Sequence, residues 1–155
     1  MLKWLWLSVV VIALDRVSKY LASSSLNLHE PLNILPFFNL TLMHNQGAAF
    51  SFLSQAGGWQ RWLFTAIAIV VTLVIVQWIR RLSPAETWMA AALSLIAGGA
   101  LGNVWDRIQL GYVIDFIDVY YGTWHWPAFN IADSAITIGA LMLIMEGLKG
   151  GRKST

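Results

Sequence analysis

Residues 62 to 76 read Trp62-Leu63-Phe64-Thr65-Ala66-Ile67-Ala68-Ile69-Val70-Val71-Thr72-Leu73-Val74-Ile75-Val76, and the run closes on Gln77-Trp78-Ile79 before Arg80-Arg81. No charge interrupts it, and a helix of roughly 20 apolar residues at about 1.5 Å each spans a bilayer core. The stretch from Gln60 to Ile79 therefore predicts a membrane crossing. Trp4 to Leu21, Glu86 to Val104 and Phe129 to Leu148 predict three more. Composition agrees, since 57% of the 155 residues are hydrophobic and 12% charged, more apolar surface than one soluble core of this size can hide. The sequence predicts an all-α membrane protein with four transmembrane helices, forming a single integral domain over residues 1–155.

Lys3 precedes the first span, Arg80 and Arg81 lie between the second and third, and Lys149, Arg152 and Lys153 follow the fourth. The positive-inside rule makes these segments cytoplasmic, both termini included, and leaves 22–59 and 105–128 outside. The net charge of +2 is then mainly a topology signal; with no basic face, nucleic acid is excluded as a partner. All nine tryptophans fall near span ends, as an aromatic belt requires. The N-terminus has the basic start and apolar run of a cleavable signal. Asp15, Arg16 and Lys19, however, occupy the place of a small-residue cleavage site, so the segment reads as a retained span. The absence of cysteine removes disulfides, thiol nucleophiles and cysteine metal sites.

Function is expected on the outer side, where the connections are longest. Phe38-Asn39-Leu40-Thr41-Leu42-Met43 partly alternates, Asn45-Gln46-Gly47 offers a turn, and Ala48-Ala49-Phe50-Ser51-Phe52 resumes an apolar stretch. This predicts a small extracytoplasmic β-sheet and loop on the membrane surface, whose edge could accept an extended peptide. Gly98 and Gly99 in the third span allow close helix packing. The tail from Gly150 to Thr155 is expected to be disordered.

Asp115, inside Val113-Ile114-Asp115-Phe116-Ile117, and Asp133, at the mouth of the last span, are costly in a membrane protein and need a partner, a cavity or a job. The apolar neighbours of Asp115 should raise its pKa, whereas Asp133 sits where a helix N-terminus favours negative charge. Two carboxylates in such different surroundings suit acid–base hydrolysis of an amide. Asn130, three residues before Asp133, also forms a capping-box pattern with it. Asp118 could itself be the second acid; the residues alone leave this open. Asp15 and Lys19, four apart on one helix face, read first as a neutralised pair that helps insertion. Asn103 and Arg107 repeat that spacing; Arg107 either binds polar substrate groups or pairs with Asp106 or Asp15 and a lipid headgroup.

Other chemistries fit less well. His29, His44 and His125 show no HExxH-like pairing, so no metal is expected. A Ser/Lys dyad would have to combine Lys19 with Ser51, Ser54 or Ser134. A carrier or channel subunit would place its polar groups near the midplane and often shows repeated halves, and neither feature is present. A purely structural scaffold would leave these polar residues pairing only one another.

Five blocks, Asp15-Arg16-Val17-Ser18-Lys19, Asn45-Gln46-Gly47-Ala48-Ala49-Phe50, Gly98-Gly99-Ala100-Leu101-Gly102-Asn103-Val104-Trp105-Asp106-Arg107, Gly111-Tyr112-Val113-Ile114-Asp115-Phe116 and Phe129-Asn130-Ile131-Ala132-Asp133, occur in the order found in lipoprotein signal peptidases. The chain resembles that family, also called signal peptidase II, over most of its length. Gln46 and Val104-Trp105 are its mild departures. The resemblance implies an aspartyl endopeptidase of the bacterial cytoplasmic (inner) membrane. Such an enzyme cuts prolipoproteins before a diacylglyceryl-modified cysteine, meets membrane lipids and needs no cofactor. It assigns the catalytic acids to Asp115 and Asp133 and demotes Asp118. It also makes Asp15, Asn45, Gly47, Asn103, Arg107 and Asn130 supporting or substrate-binding residues, with Lys19 structural.

Overall fold

Helices α1 (Trp6–Ser25), α2 (Trp59–Arg81), α3 (Thr87–Gln109) and α4 (Ile131–Gly151) carry the chain, after one 3-10 turn over Leu2–Leu5. The computed structural model describes residues 1–47 and 58–151, with side chains as far as Leu148. The expected apolar stretch Ala48 to Phe52, the candidate nucleophiles Ser51 and Ser54, and residues 152–155 of the expected tail lie outside the described residues.

Among the described residues, three helices, Trp59–Arg81, Thr87–Gln109 and Ile131–Leu148, are long and apolar enough to cross a membrane. Ile67, Val70, Leu73 and Val74 on α2 and Ile138, Leu141 and Ile144 on α4 are exposed. Contiguous apolar faces of this kind are built for lipid rather than water. α1 has 20 residues but carries Asp15, Arg16 and Lys19, and it stands outside that set. Two of those charges point inward: Asp15 and Lys19 are buried, while Val9, Leu14, Val17 and Leu21 are exposed.

α3 is the central helix and packs on α1, α2 and α4. A Cβ at Gly98 would lie 2.8 Å from Ser8 Cα of α1, and one at Gly99 only 2.3 Å from the Ala132 carbonyl oxygen of α4. The two glycines therefore let α3 touch a backbone on each side, the packing role expected of them. At the other end of the bundle, Ile75, Ile79 and Leu82 close a core against Ala90, Leu93 and Ala97. α3 runs past Val104, where the apolar pattern ends, to Gln109. The extra turn is tolerated because Asp106 is paired with Arg16 and Lys19 of α1.

A four-stranded antiparallel sheet completes the fold, in the order β1 (Pro31–Leu35), β2 (Phe38–Asn45), β3 (Val113–Tyr121) and β4 (Trp124–His125). The expected strand around residues 38–43 is present. Its partners are the upstream β1 and, from the second long connection, β3. The β-branched and aromatic run of β3 explains the choice: Ile114 and Phe116 pack with Leu42 of β2 and Ala22 of α1, burying surface that pairing within one connection could not. Asp115 thereby becomes a strand residue, opposite Met43 in the β2–β3 ladder.

Candidate active site

The chain enters α4 through a reciprocal cap. The backbone N–H of Asn130 donates to Asp133 Oδ2 (3.2 Å), and the N–H of Asp133 donates to Asn130 Oδ1 (2.9 Å). This is the capping box expected from the sequence, and it holds Asp133 at the positive end of the helix. Beside it, β3 delivers Asp115, which is 1% exposed. Asp115 Oδ1 accepts from Asn130 Nδ2 at 2.7 Å and Oδ2 from Asn45 Nδ2 at 3.0 Å. Asp133 Oδ1 accepts from Asn103 Nδ2 at 2.7 Å. The two aspartates, remote in sequence, are thus joined through Asn130.

Each of these asparagines has its carbonyl side taken. Asn45 Oδ1 accepts the Gly47 N–H (2.9 Å), Asn103 Oδ1 accepts from Lys19 Nζ (3.0 Å) and Asn130 Nδ2 (3.2 Å), and Asn130 Oδ1 accepts the Asp133 N–H. An amide has one accepting and one donating side, so every NH2 is turned toward a carboxylate. Gly47 fills its position for a steric reason: its φ is +95°, and a Cβ there would lie 2.9 Å from the Phe64 ring.

Burial, and then the neighbouring charge of Asp133, push the Asp115 carboxyl up to about 7; Asn45, Asn130 and Lys19 pull the other way. This is the direction its apolar sequence neighbours predict. Arg107 lies within electrostatic reach of Asp133 and Asp115, with its guanidinium 5.7 Å from the Phe64 ring centroid. Its alternative partners are occupied: Lys19 Nζ binds Asp15 at 2.9 Å and Asp106 at 2.8 Å, and Arg16 also binds Asp106. Arg107 makes no ion pair among the described residues and is left as a cation beside the two acids.

Arg16 and Asp106 are members of the buried cluster that the sequence did not mark as site residues. The signal was the matched set of polar residues on two helices, Asp15-Arg16 with Lys19 and Asn103 with Asp106-Arg107. Asp106 reaches further still, accepting the backbone N–H of Ile114 at 3.2 Å. Asp15 ties α1 to α4 in the same way, through the Ala132 N–H at 3.2 Å.

Asp118 belongs to another cluster. Burial works to raise its pKa, but His125 at 2.7 Å, Thr41 at 2.9 Å and Asn39 at 3.3 Å carry it below the usual value. Among the described residues it shares no hydrogen-bond partner with Asp115. Ser134 Oγ donates to the Asn130 carbonyl of its own helix (2.9 Å), and Lys19 is committed to Asp15, Asp106 and Asn103. A Ser134–Lys19 dyad is not formed.

The family model described as signal peptidase (SPase) II matches residues 7–149. The chain belongs to the signal peptidase II family. Membership makes it a membrane peptidase of lipoprotein signal peptides. It is 53% identical over 154 residues to the lipoprotein signal peptidase of Alteromonas mediterranea, covering 99% of this chain and 85% of that one. Against the Pseudomonas fluorescens protein of the same name the identity is 55% over 150 residues, covering 96% and 88%. For Vibrio cholerae it is 50% over 155 residues, covering 99% and 91%. A bacterial membrane enzyme solved by the in meso method at 2.3 Å superposes with a TM-score of 0.87 at 32% identity, over 99% of this chain and 92% of that one. A second, at 1.9 Å, gives 0.83 at 34% identity over 95% and 93%. The helices of this signal peptidase II chain fit a multi-pass membrane protein.

Proposed function

We propose that this signal peptidase II is an aspartyl endopeptidase in which Asp115 and Asp133 activate one water molecule between them. The observation that carries the reading is the shared set of asparagine donors around two acids in unlike surroundings. Asp115, held protonated to about 7, is suited to give its proton to the scissile carbonyl oxygen. Asp133, at a helix N-terminus, is suited to take a proton from the water whose oxygen adds to the carbonyl carbon. Collapse of the resulting diol returns the Asp133 proton to the leaving nitrogen and a hydroxyl proton to Asp115, restoring both acids. Asn45, Asn103 and Asn130 hold the pair, and Arg107 is free to bind a polar group of the substrate.

The substrate class follows from position and family. α1 serves as a fourth span, since Asp15 and Lys19 are turned into the bundle and its outer face is apolar. With basic residues flanking the spans on one side, both termini lie in the cytoplasm and the sheet lies outside the inner membrane. A prolipoprotein held in the bilayer by its diacylglyceryl cysteine then presents its cleavage site near the outer surface, where acids at span ends meet both peptide and water. The edge strand β1, exposed at every residue, is available to pair with an extended segment.

The test is purified protein given one prosubstrate in two forms, with and without the diacylglyceryl group, and the products weighed by mass spectrometry. The reading expects a cut directly before the lipidated cysteine and little turnover of the unlipidated form. Equal cleavage of both, or a cut elsewhere, would contradict it.

A further inference from the structure

We propose that Lys19 is a positioning residue for the aspartate pair, acting through the Asn103 amide. The inference rests on the two-aspartate reading above.

Lys19 is 1% exposed, a long way into the protein for an ammonium. It forms ion pairs with Asp15 Oδ2 (2.9 Å) and Asp106 Oδ2 (2.8 Å). A cluster made only to neutralise charge would be complete with those. Its hydrogen bond goes instead to a neutral atom, Asn103 Oδ1, at 3.0 Å. Because the ammonium can only donate, it forces the oxygen of that amide to face α1. The Nδ2 must then face the other way, where it meets Asp133 Oδ1 at 2.7 Å. Asn103 is 5% exposed, and a flipped amide would put NH2 against NH3⁺ and a carbonyl oxygen against the carboxylate, two repulsions around a buried amide.

The anchors of Lys19 reach both aspartates by a second route. Asp106 accepts the Ile114 N–H, one residue before Asp115. Asp15 accepts the Ala132 N–H, one residue before Asp133. The same ammonium therefore sits between the carboxylates that fix the backbone on which each acid is mounted, while its hydrogen bond sets the amide between α3 and Asp133. A displacement of about 1 Å at reacting groups can cost about a hundredfold in rate, which sets the size of the expected effect.

Lys19→Met removes the ammonium and leaves Asp15 and Asp106 facing each other, so it tests folding as much as positioning. Lys19→Arg separates the two: it keeps a cation for both acids, but no guanidinium nitrogen carries three N–H groups, so no single atom at the place of Nζ serves Asp15, Asp106 and Asn103 together. Arg16→Gln is the comparison, because it removes the other cation on Asp106 without touching Asn103. All are assayed beside the parent on a lipidated prosubstrate, together with Asp115→Asn and Asp133→Asn, and thermal midpoints are measured on the same preparations.

The expected result is a folded Lys19→Arg protein with kcat down about a hundredfold and KM within about twofold, while Arg16→Gln loses thermal stability with a much smaller loss of kcat than Lys19→Arg. Where Lys19→Met accumulates, its alkaline activity limb moves to higher pH, since Lys19 is among the groups that hold Asp115 down. Parental kcat in Lys19→Arg would overturn the proposal. So would losses in Lys19→Arg and Arg16→Gln that track the thermal midpoint alone, or a Lys19→Arg protein that fails to accumulate where Arg16→Gln succeeds. If Asp115→Asn and Asp133→Asn are dead and Lys19→Arg is not, only this inference falls; if either aspartate variant stays active, the two-aspartate reading falls with it.

Discussion

Asn130 Nδ2 donates to Asp115 Oδ1 across 2.7 Å, and Oδ1 of the same side chain accepts the backbone N–H of Asp133 at 2.9 Å. One asparagine is therefore a helix cap and a clamp on the opposite strand at once. Replacing it by alanine removes both functions. Loss of a cap costs about 1 kcal/mol, and loss of one preorganised donor at a reacting site costs roughly 100- to 1000-fold in kcat. Asn130→Ala is expected to stay folded, with a slightly lower thermal midpoint and a rate loss far larger than that midpoint implies. Steady-state cleavage alongside thermal melts would check this.

The protonation of Asp115 makes pH a second test. A carboxyl held at about 7 ionises above that value, so activity that needs its proton falls on the alkaline side near pH 7. Stability moves in the same sense: between 3.8, its ordinary value, and about 7, the native protein keeps a proton that the unfolded chain has released, so stability decreases as pH rises through that window. Asp115→Asn removes the penalty. Its thermal midpoint should exceed the parent's by more at about pH 8 than at about pH 5, and equal gains at both would show that Asp115 is not held protonated.

Much of this was legible in the sequence because membrane chemistry leaves strong marks. An uncharged run such as 62–76 has few alternatives to a crossing, and buried Asp115 and the Asn130/Asp133 cap follow from local pattern alone. The sheet partners of β2 were not legible, since strand pairing depends on surface brought together from distant connections: β3 wins because Ile114 and Phe116 bury against Leu42 and Ala22. Nor was the end of α3. Apolar periodicity stops at Val104, but Asp106 continues the helix because Arg16 and Lys19 come from another helix to meet it. Spacing suggested that Arg107 could pair with Asp106 or Asp15, and only the packing of α1 on α3 decides otherwise.

Asp118 offers a control close in sequence to Asp115. Its bonds to Thr41, Asn39 and His125 hold it below the usual carboxylate range, so it contributes stability that is present above 3.8 and lost as pH falls through its lowered native value. Asp118→Asn is expected to cost about 1 kcal/mol at neutral pH, with a difference from the parent that shrinks in acid, and to cleave at the parental rate. A severe loss of kcat in a folded Asp118→Asn protein would bring Asp118 back as the second acid.

The contact of α3 with α4 predicts a steric effect near the site. A Cβ at Gly99 meets the Ala132 carbonyl oxygen at 2.3 Å, whereas one at Gly147 has nothing within 4 Å. Gly99→Ala must push α4 away, at a cost of roughly 1 to 3 kcal/mol, and Ala132 adjoins Asp133. Both the thermal midpoint and cleavage should fall, while Gly147→Ala leaves both near the parent.

The central claim is that Asp115 and Asp133 act as one catalytic pair. Cleavage of a lipidated prosubstrate by purified Asp115→Asn and Asp133→Asn proteins, each checked for folding by its melt, measures that most directly. The account predicts that each variant folds and that neither cleaves above background; cleavage near the parental rate by either one would contradict it.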